Sequence, residues 1–111
     1  MDKLEKYRGL IQQILNEYVE FSASDKSTET VPVFDKENDR YLLMEIGRVN
    51  GKRIHFCLVN LEIKNEKIWI HYDGTEANFG QQLIENGVPK SDIVPAFMSP
   101  EMRKFTDFAV A

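Results

Sequence analysis

Cysteine is almost missing from this chain. Cys57 stands alone among 111 residues, so no disulfide can form within the chain and a reducing compartment is expected. It sits in the apolar run Ile54-His-Phe-Cys-Leu-Val59, a setting that suits a buried, inert thiol better than a nucleophile. Histidine is nearly as scarce. His55 and His71 are the only two, and with Cys57 they fall short of a zinc set in number and spacing. No serine is tied to either histidine, so a hydrolytic triad has no footing. A basic excess is lacking too: 14 Lys and Arg face 18 Asp and Glu, for a net charge of −4. Phosphate affinity needs a basic footprint, which disfavours direct DNA binding by the isolated chain. No apolar run approaches membrane-spanning length. The opening Met1-Asp-Lys-Leu-Glu-Lys6 has no apolar signal core,. A cytoplasmic protein is expected, with no cofactor and no membrane partner.

What is present suits one domain over residues 1–111. Hydrophobic residues make up 42% and charged residues 29%, enough for a core without metals or disulfides. Leu4, Tyr7, Ile11, Ile14, Tyr18 and Phe21 recur at spacings of 3, 4, 3, 4 and 3, the stripe of a helix over residues 2–21. The stripe is short for a free coiled coil and is expected to pack on a sheet. Residues 22–29 are polar and aperiodic, and read as a mobile loop.

Four strands follow. Residues 30–34 form a short one, placed at an edge by Pro32, which has no N–H to donate. Residues 40–49 form the second, residues 52–64 the third and residues 67–72 the fourth. Asn50-Gly51 suits a two-residue type I′ hairpin turn. Asn65-Glu66 is a second tight turn in which Glu66 fits positive φ poorly, so a longer turn is the alternative. The third strand changes parity, from Ile54, Phe56 and Leu58 to Val59, Leu61 and Ile63. Either both faces are covered there or a bulge shifts the pattern.

The C-terminal third reads as capped helices. Asp73 or Thr75 is placed to cap a helix ending near Glu85, and Gly87 to stop it. Ser99 before Pro100 resembles another helix start. The expected class is α+β: an N-terminal helix on a four-stranded antiparallel meander, a second helix and a short helical tail. The long helix covers one face. The other, assigned Trp69, His71, Tyr41 and Leu43, needs the second helix, the tail or a partner.

No catalytic or metal-binding residue emerges. Glu62 and Lys64 share a strand face, as in some metal-dependent nucleases, with Asp35 or Asp39 as a conceivable third group. Charges at a strand end explain the pair more simply. The tail carries Met102, Phe105 and Phe108 around Arg103 and Lys104. It docks either on its own core or on another protein. Trp69, His71, Met102, Arg103, Phe105 and Phe108 are therefore the candidate partner or dimer contacts.

The ordered segments Ile68-Trp-Ile-x-x-Asp-Gly-Thr-Glu76, Gly87-Val-Pro-Lys-x-Asp-Ile-Val94 and Ser99-Pro-Glu-Met-Arg-Lys-Phe-Thr-x-Phe-Ala-Val-Ala111 resemble the XisI family, the fdxN element excision controlling factors. Tyr7-Arg8, Ile11-Gln-Gln-Ile14 and Asp39-Arg-Tyr-Leu-Leu43 extend the resemblance over nearly the whole chain. Glu66 departs where a glycine is expected. The resemblance implies a regulatory, non-enzymatic accessory factor for site-specific excision of a DNA element. Its implied partners are an XisH-like protein of nuclease-like fold and the recombinase complex; separately, the uncovered aromatic sheet face suits a homodimer or larger homo-oligomer. The alternative is a small DNA-binding directionality factor using Lys52-Arg53 or Arg103-Lys104. No catalytic residue is carried over.

Overall fold

The structure is a computed structural model that describes residues 2–23 and 27–111. The centre of the expected polar loop, residues 24–26, lies outside the described residues. Helix α1 spans Lys3–Ser22, with the Asp2 carboxylate capping the Glu5 N–H. Strands β1 (Thr28–Asp35), β2 (Arg40–Val49), β3 (Lys52–Lys64) and β4 (Lys67–Asp73) form the antiparallel meander. Helix α2 (Phe79–Glu85) leads through one 3₁₀ turn to β5 (Ile93–Val94), and α3 (Pro100–Arg103) opens the tail. The strand order is β1-β2-β3-β4-β5. β5 runs parallel to β4, so the sheet is mixed where a purely antiparallel one was expected. A two-residue strand leaves no periodic signal, and the intervening α2 supplies the crossover that parallel pairing needs.

Both tight turns are two residues long with positive φ throughout. Glu66 adopts φ +62 beside Asn65 at +53, so the shorter turn forms despite its unsuitable residue. The parity change in β3 comes from a bulge opposite Leu43/Met44, where Leu58 is the extra residue, and a second bulge opposite Asn60/Leu61 makes His71 the extra residue of β4. Each extra residue flips the strand relative to its neighbour.

The core lies between α1 and one face of the sheet. Tyr7, Ile11, Ile14 and Leu15 pack over Tyr41, Leu43, Val59, Leu61, Ile63, Ile68 and Ile70, joined by Phe79 and Leu83 of α2. At about 25 cal/mol per Å² of apolar surface, this burial is the main stabilising term. The register corrects the expected faces. Tyr41 pairs with Leu61, and Leu61 with Ile70, which puts Tyr41 and Leu43 under α1. Trp69 pairs with Glu62, and Glu62 with Arg40, on the opposite face. Phe21, the last apolar position of the helical stripe, overshoots the sheet and is 87% exposed.

Candidate interaction surface

The face of the sheet turned away from α1 carries Val31, Val33, Leu42, Met44 and Ile46, all half-buried or exposed. The helix residues that pack on the sheet, from α1 and α2, do so on the core side. Toward β4 the outer face becomes polar and aromatic. His71 Nε2 meets Glu62 Oε1 at 2.7 Å, and Arg40 reaches Glu62 Oε2 at 3.3 Å. Trp69 stacks beside His71 with ring centroids 6.4 Å apart, and its indole N–H donates to the Lys64 carbonyl. Lys64 Nζ lies 4.5 Å from the Trp69 ring centroid, a cation–π contact. The strand alternation that splits Trp69 from Ile68 and Ile70 builds this cluster, and the bulge at Asn60 turns His71 to Glu62. Nearby, Asn60 Oδ1 is enclosed without a hydrogen-bond donor among the described residues.

The tail docks on its own body, and Arg103 holds it there. Arg103 is 9% exposed. Its Nε donates to the carbonyls of Pro95 and Met98, Nη1 to Val110 and Nη2 to Ala96. It also lies 5.7 Å from the Trp69 ring centroid. Five donors in a rigid fork satisfy carbonyls that an irregular tail leaves without ladder partners. Arg103 is therefore a clamp and not a surface contact, which corrects its expected role. Phe108 likewise packs against the core. Met102 and Phe105 remain outward, at 52% and 85% exposure. Trp69, His71, Met102 and Phe105 are thus the expected contact residues still available, and the outer strand residues Leu42, Met44 and Ile46 join them. Alternation along β2 was the signal for the latter. It was misread because both parities of that strand are apolar.

The caps follow a similar pattern. Gly87 stops α2 at φ +96, with its N–H on the Ile84 carbonyl and the Val88 N–H on Leu83; that pair of bonds is a Schellman motif. The Ser99 hydroxyl accepts from Met102 N–H. At the start of α2, however, the N-cap is Asn78, in place of Asp73 or Thr75. Asp73 accepts from the N–H groups of Thr75 and Phe79, and Thr75 from Ala77. The two side chains stabilise the preceding turn, which delays the helix until Phe79.

Several charged groups are committed to structure. Asp39 receives Arg8 Nε at 2.7 Å and the Tyr41 hydroxyl at 3.0 Å. The Arg8 hydrogen bond holds its carboxyl below the usual range, while burial pushes the Tyr41 phenol up to about 12. Asp92 accepts from Tyr7 and pairs with Lys3 at 3.0 Å. Burial opposes its ionised form, yet these hydrogen bonds together hold its pKa low. Burial raises the Cys57 thiol, as suits an unreactive sulfur. Glu62, Asp35 and Asp39 do not converge: Glu62 serves Arg40 and His71, while Asp35 caps the turn at Glu37 and Asn38. Among the described residues no group of three or more His, Cys, Asp or Glu could hold a metal ion. No described helix is long and apolar enough to cross a membrane.

A cleft of about 710 Å³ lies beyond the carboxyl ends of β4 and β5, lined by Tyr72, Glu76, Lys90, Phe97 and Phe108 among others. Open sheets often bind ligands at such a position, but here Asp73 is already spent on the turn.

The geometry matches a known family. The description "XisI protein" fits residues 1–110. The chain belongs to the XisI family. Among solved structures, an XisI-like protein from Anabaena variabilis ATCC 29413 is 34% identical. It superposes with a TM-score of 0.90, covering 97% of this chain and 99% of that one. The fdxN element excision controlling factor XisI from the same organism is also 34% identical, with a TM-score of 0.86, covering 99% of this chain and 100% of that one. No curated protein matches the chain. The XisI fold is therefore shared over nearly the full length.

Proposed function

We infer that this XisI-family chain is a non-enzymatic accessory factor that controls excision of a DNA element through protein contacts, with an XisH-like protein as partner. The observation that carries this reading is the outer sheet face. Its exposed Val33 and half-buried Leu42, Met44 and Ile46 run beside the Trp69–His71 cluster without a covering helix among the described residues, and apolar area left partly open in this way suits a contact surface. The acidic net charge of −4 points the same way, because a DNA reader needs a basic face. Arg103, one of the two cations of the tail pair, is buried on carbonyls and unavailable to phosphate.

One feature favours a directionality factor that binds DNA itself. Arg48, Lys52 and Arg53 gather at the exposed tip of the β2–β3 hairpin. The two readings separate by co-purification with the XisH-like protein of the same genome, then DNA binding with and without it. A stable complex, weakened by Met44→Glu on the outer face, is expected, with no DNA affinity for the chain alone. Salt-sensitive DNA binding by the isolated chain, with no complex, overturns the proposal.

A further inference from the structure

The β2–β3 hairpin outruns the rest of the sheet. The last β4 pair is Val59 with Asp73, and beyond it Gly74 N–H caps the Leu58 carbonyl at 2.8 Å. From Lys52 to Cys57, β3 pairs with β2 alone. Its second edge is open among the described residues. Val49 and Lys52 flank a two-residue turn, so they form a hydrogen-bonded pair, and the pairing alternates from there. The N–H and C=O groups of Arg53, His55 and Cys57 therefore point away from β2, toward solvent. Lys52 and Arg53 put charge at its start, but no proline interrupts this edge and no helix covers it among the described residues,. The same arm exposes apolar side chains: Phe56 is 46% exposed and Ile54 is half-buried.

Charge on the arm matches charge beside it. Lys52, Ile54 and Phe56 point to the α1 side of the sheet, as Glu45 opposite Phe56 does. On that side, a cleft of about 650 Å³ is lined by Glu17, Tyr18, Phe21, Gly74 and Glu76. It begins where β4 leaves the sheet, in line with the open edge of β3. Neither Lys52 nor Glu76 has an ion-pair partner among the described residues.

We propose that a second copy of this chain occupies the open edge, pairing β3 with β3 antiparallel across a two-fold axis near Ile54. A strand edge of this kind is self-complementary, since antiparallel pairing of identical segments exchanges the same groups in both directions. With the axis there, Arg53 lies opposite His55 of the other copy and both exchange backbone hydrogen bonds. Lys52 of each copy is carried to the mouth of the other copy's cleft, toward Glu17 and Glu76. Ile54 and Phe56 of both copies meet on the α1 side, near Phe21. The two sheets become one continuous sheet of ten strands. This pairing uses neither Val33, Leu42 and Met44 nor an excision partner, so it stands or falls apart from the proposed function.

The test is sedimentation equilibrium of the full chain, joined to concentration-dependent amide exchange. A dimer of the 12.9 kDa chain is expected, with the amides of Arg53 and His55 protected at high concentration and released on dilution. His55→Pro removes an outward N–H that β2 does not use, so the monomer keeps its fold by circular dichroism while dimer affinity falls about tenfold or more. Lys52→Glu and Glu76→Lys each weaken the dimer, and the two together in one chain restore it. A monomeric chain, exchange that ignores concentration, or a dimer that tolerates His55→Pro with its fold intact overturns the proposal. So does duplex DNA binding through Lys52 by a chain that stays monomeric.

Discussion

The two halves of β3 have similar shares of apolar residues and opposite fates. Val59–Lys64 lies between β2 and β4, with Val59, Leu61 and Ile63 buried beneath α1. Lys52–Leu58 carries Ile54, Phe56, Cys57 and Leu58, yet it has one neighbouring strand for most of its length and a largely exposed surface. The difference is not hydrophobicity. It is where β4 ends: Asp73 and Gly74 turn the chain away, and everything beyond that point loses a neighbour. The proposed pairing would give this strand half the second neighbour that β4 gives the other half.

The sharpest way to break this comparison is to truncate one residue in each half. Leu61→Ala should cost about 3 kcal/mol of unfolding free energy, from lost transfer energy and the cavity left behind. Phe56→Ala should cost under about 1 kcal/mol in the monomer, because its side chain is already half in water. Urea unfolding at low protein concentration reads both. Equal losses would mean that the arm is enclosed in solution. The tail supplies a second contrast, since it is irregular like the arm but closed by one side chain. Arg103→Ala should cost about 2 kcal/mol, the value of charge-assisted hydrogen bonds to carbonyls that then lose their donor. Amide exchange of Ala109 and Phe97, which bond Ile93 and Ile70, should accelerate in that variant.

Smaller effects probe the enclosed side. Gly87→Ala forces a side chain into φ +96 and should cost about 1 kcal/mol, seen as a lower thermal midpoint. The smallest effect at neutral pH comes from Asp39 and Asp92, whose folded pKa values are depressed. The unfolded chain therefore binds more protons in acid than the folded one does. Their stabilisation is present above the unfolded carboxylate value of about 3.9 and is lost as pH falls through the lower folded values. Asp39→Asn should flatten the acid limb of stability against pH. An unchanged limb would show that the Arg8 pair is idle in solution.

Much of the fold was legible because it rests on local chemistry. The α1 stripe, the Asn50-Gly51 turn, the stop at Gly87 and the cap at Ser99 each follow from side chains within a few residues of one another. The interaction surface was less legible. Strand alternation set Trp69 and His71 apart from Ile68 and Ile70, yet the burial of Arg103 was not foreseen, because its carbonyl partners are set by how an irregular tail folds back. Asn78 was missed as a cap because an αL N-cap has no simple sequence signature. The buried Glu45, accepting 2.6 Å hydrogen bonds from the Thr28 and Thr30 hydroxyls, also escaped notice. Its donors lie on another strand.

By itself, the sequence determined the number of antiparallel strands, the positions of the turns and the helical stripe that covers the sheet. Each depends on periodicity or on the φ preferences of a few adjacent residues. The tertiary structure alone decided which strand face meets α1, because two bulges reset the parity that periodicity assumes. It alone decided the parallel pairing of β5, since two residues carry no pattern and their partner strand lies beyond a helix. The burial of Arg103 and the open edge of β3 belong to it as well. Both depend on where distant segments end, and the distance at which a neighbour stops is not written in any local run of residues.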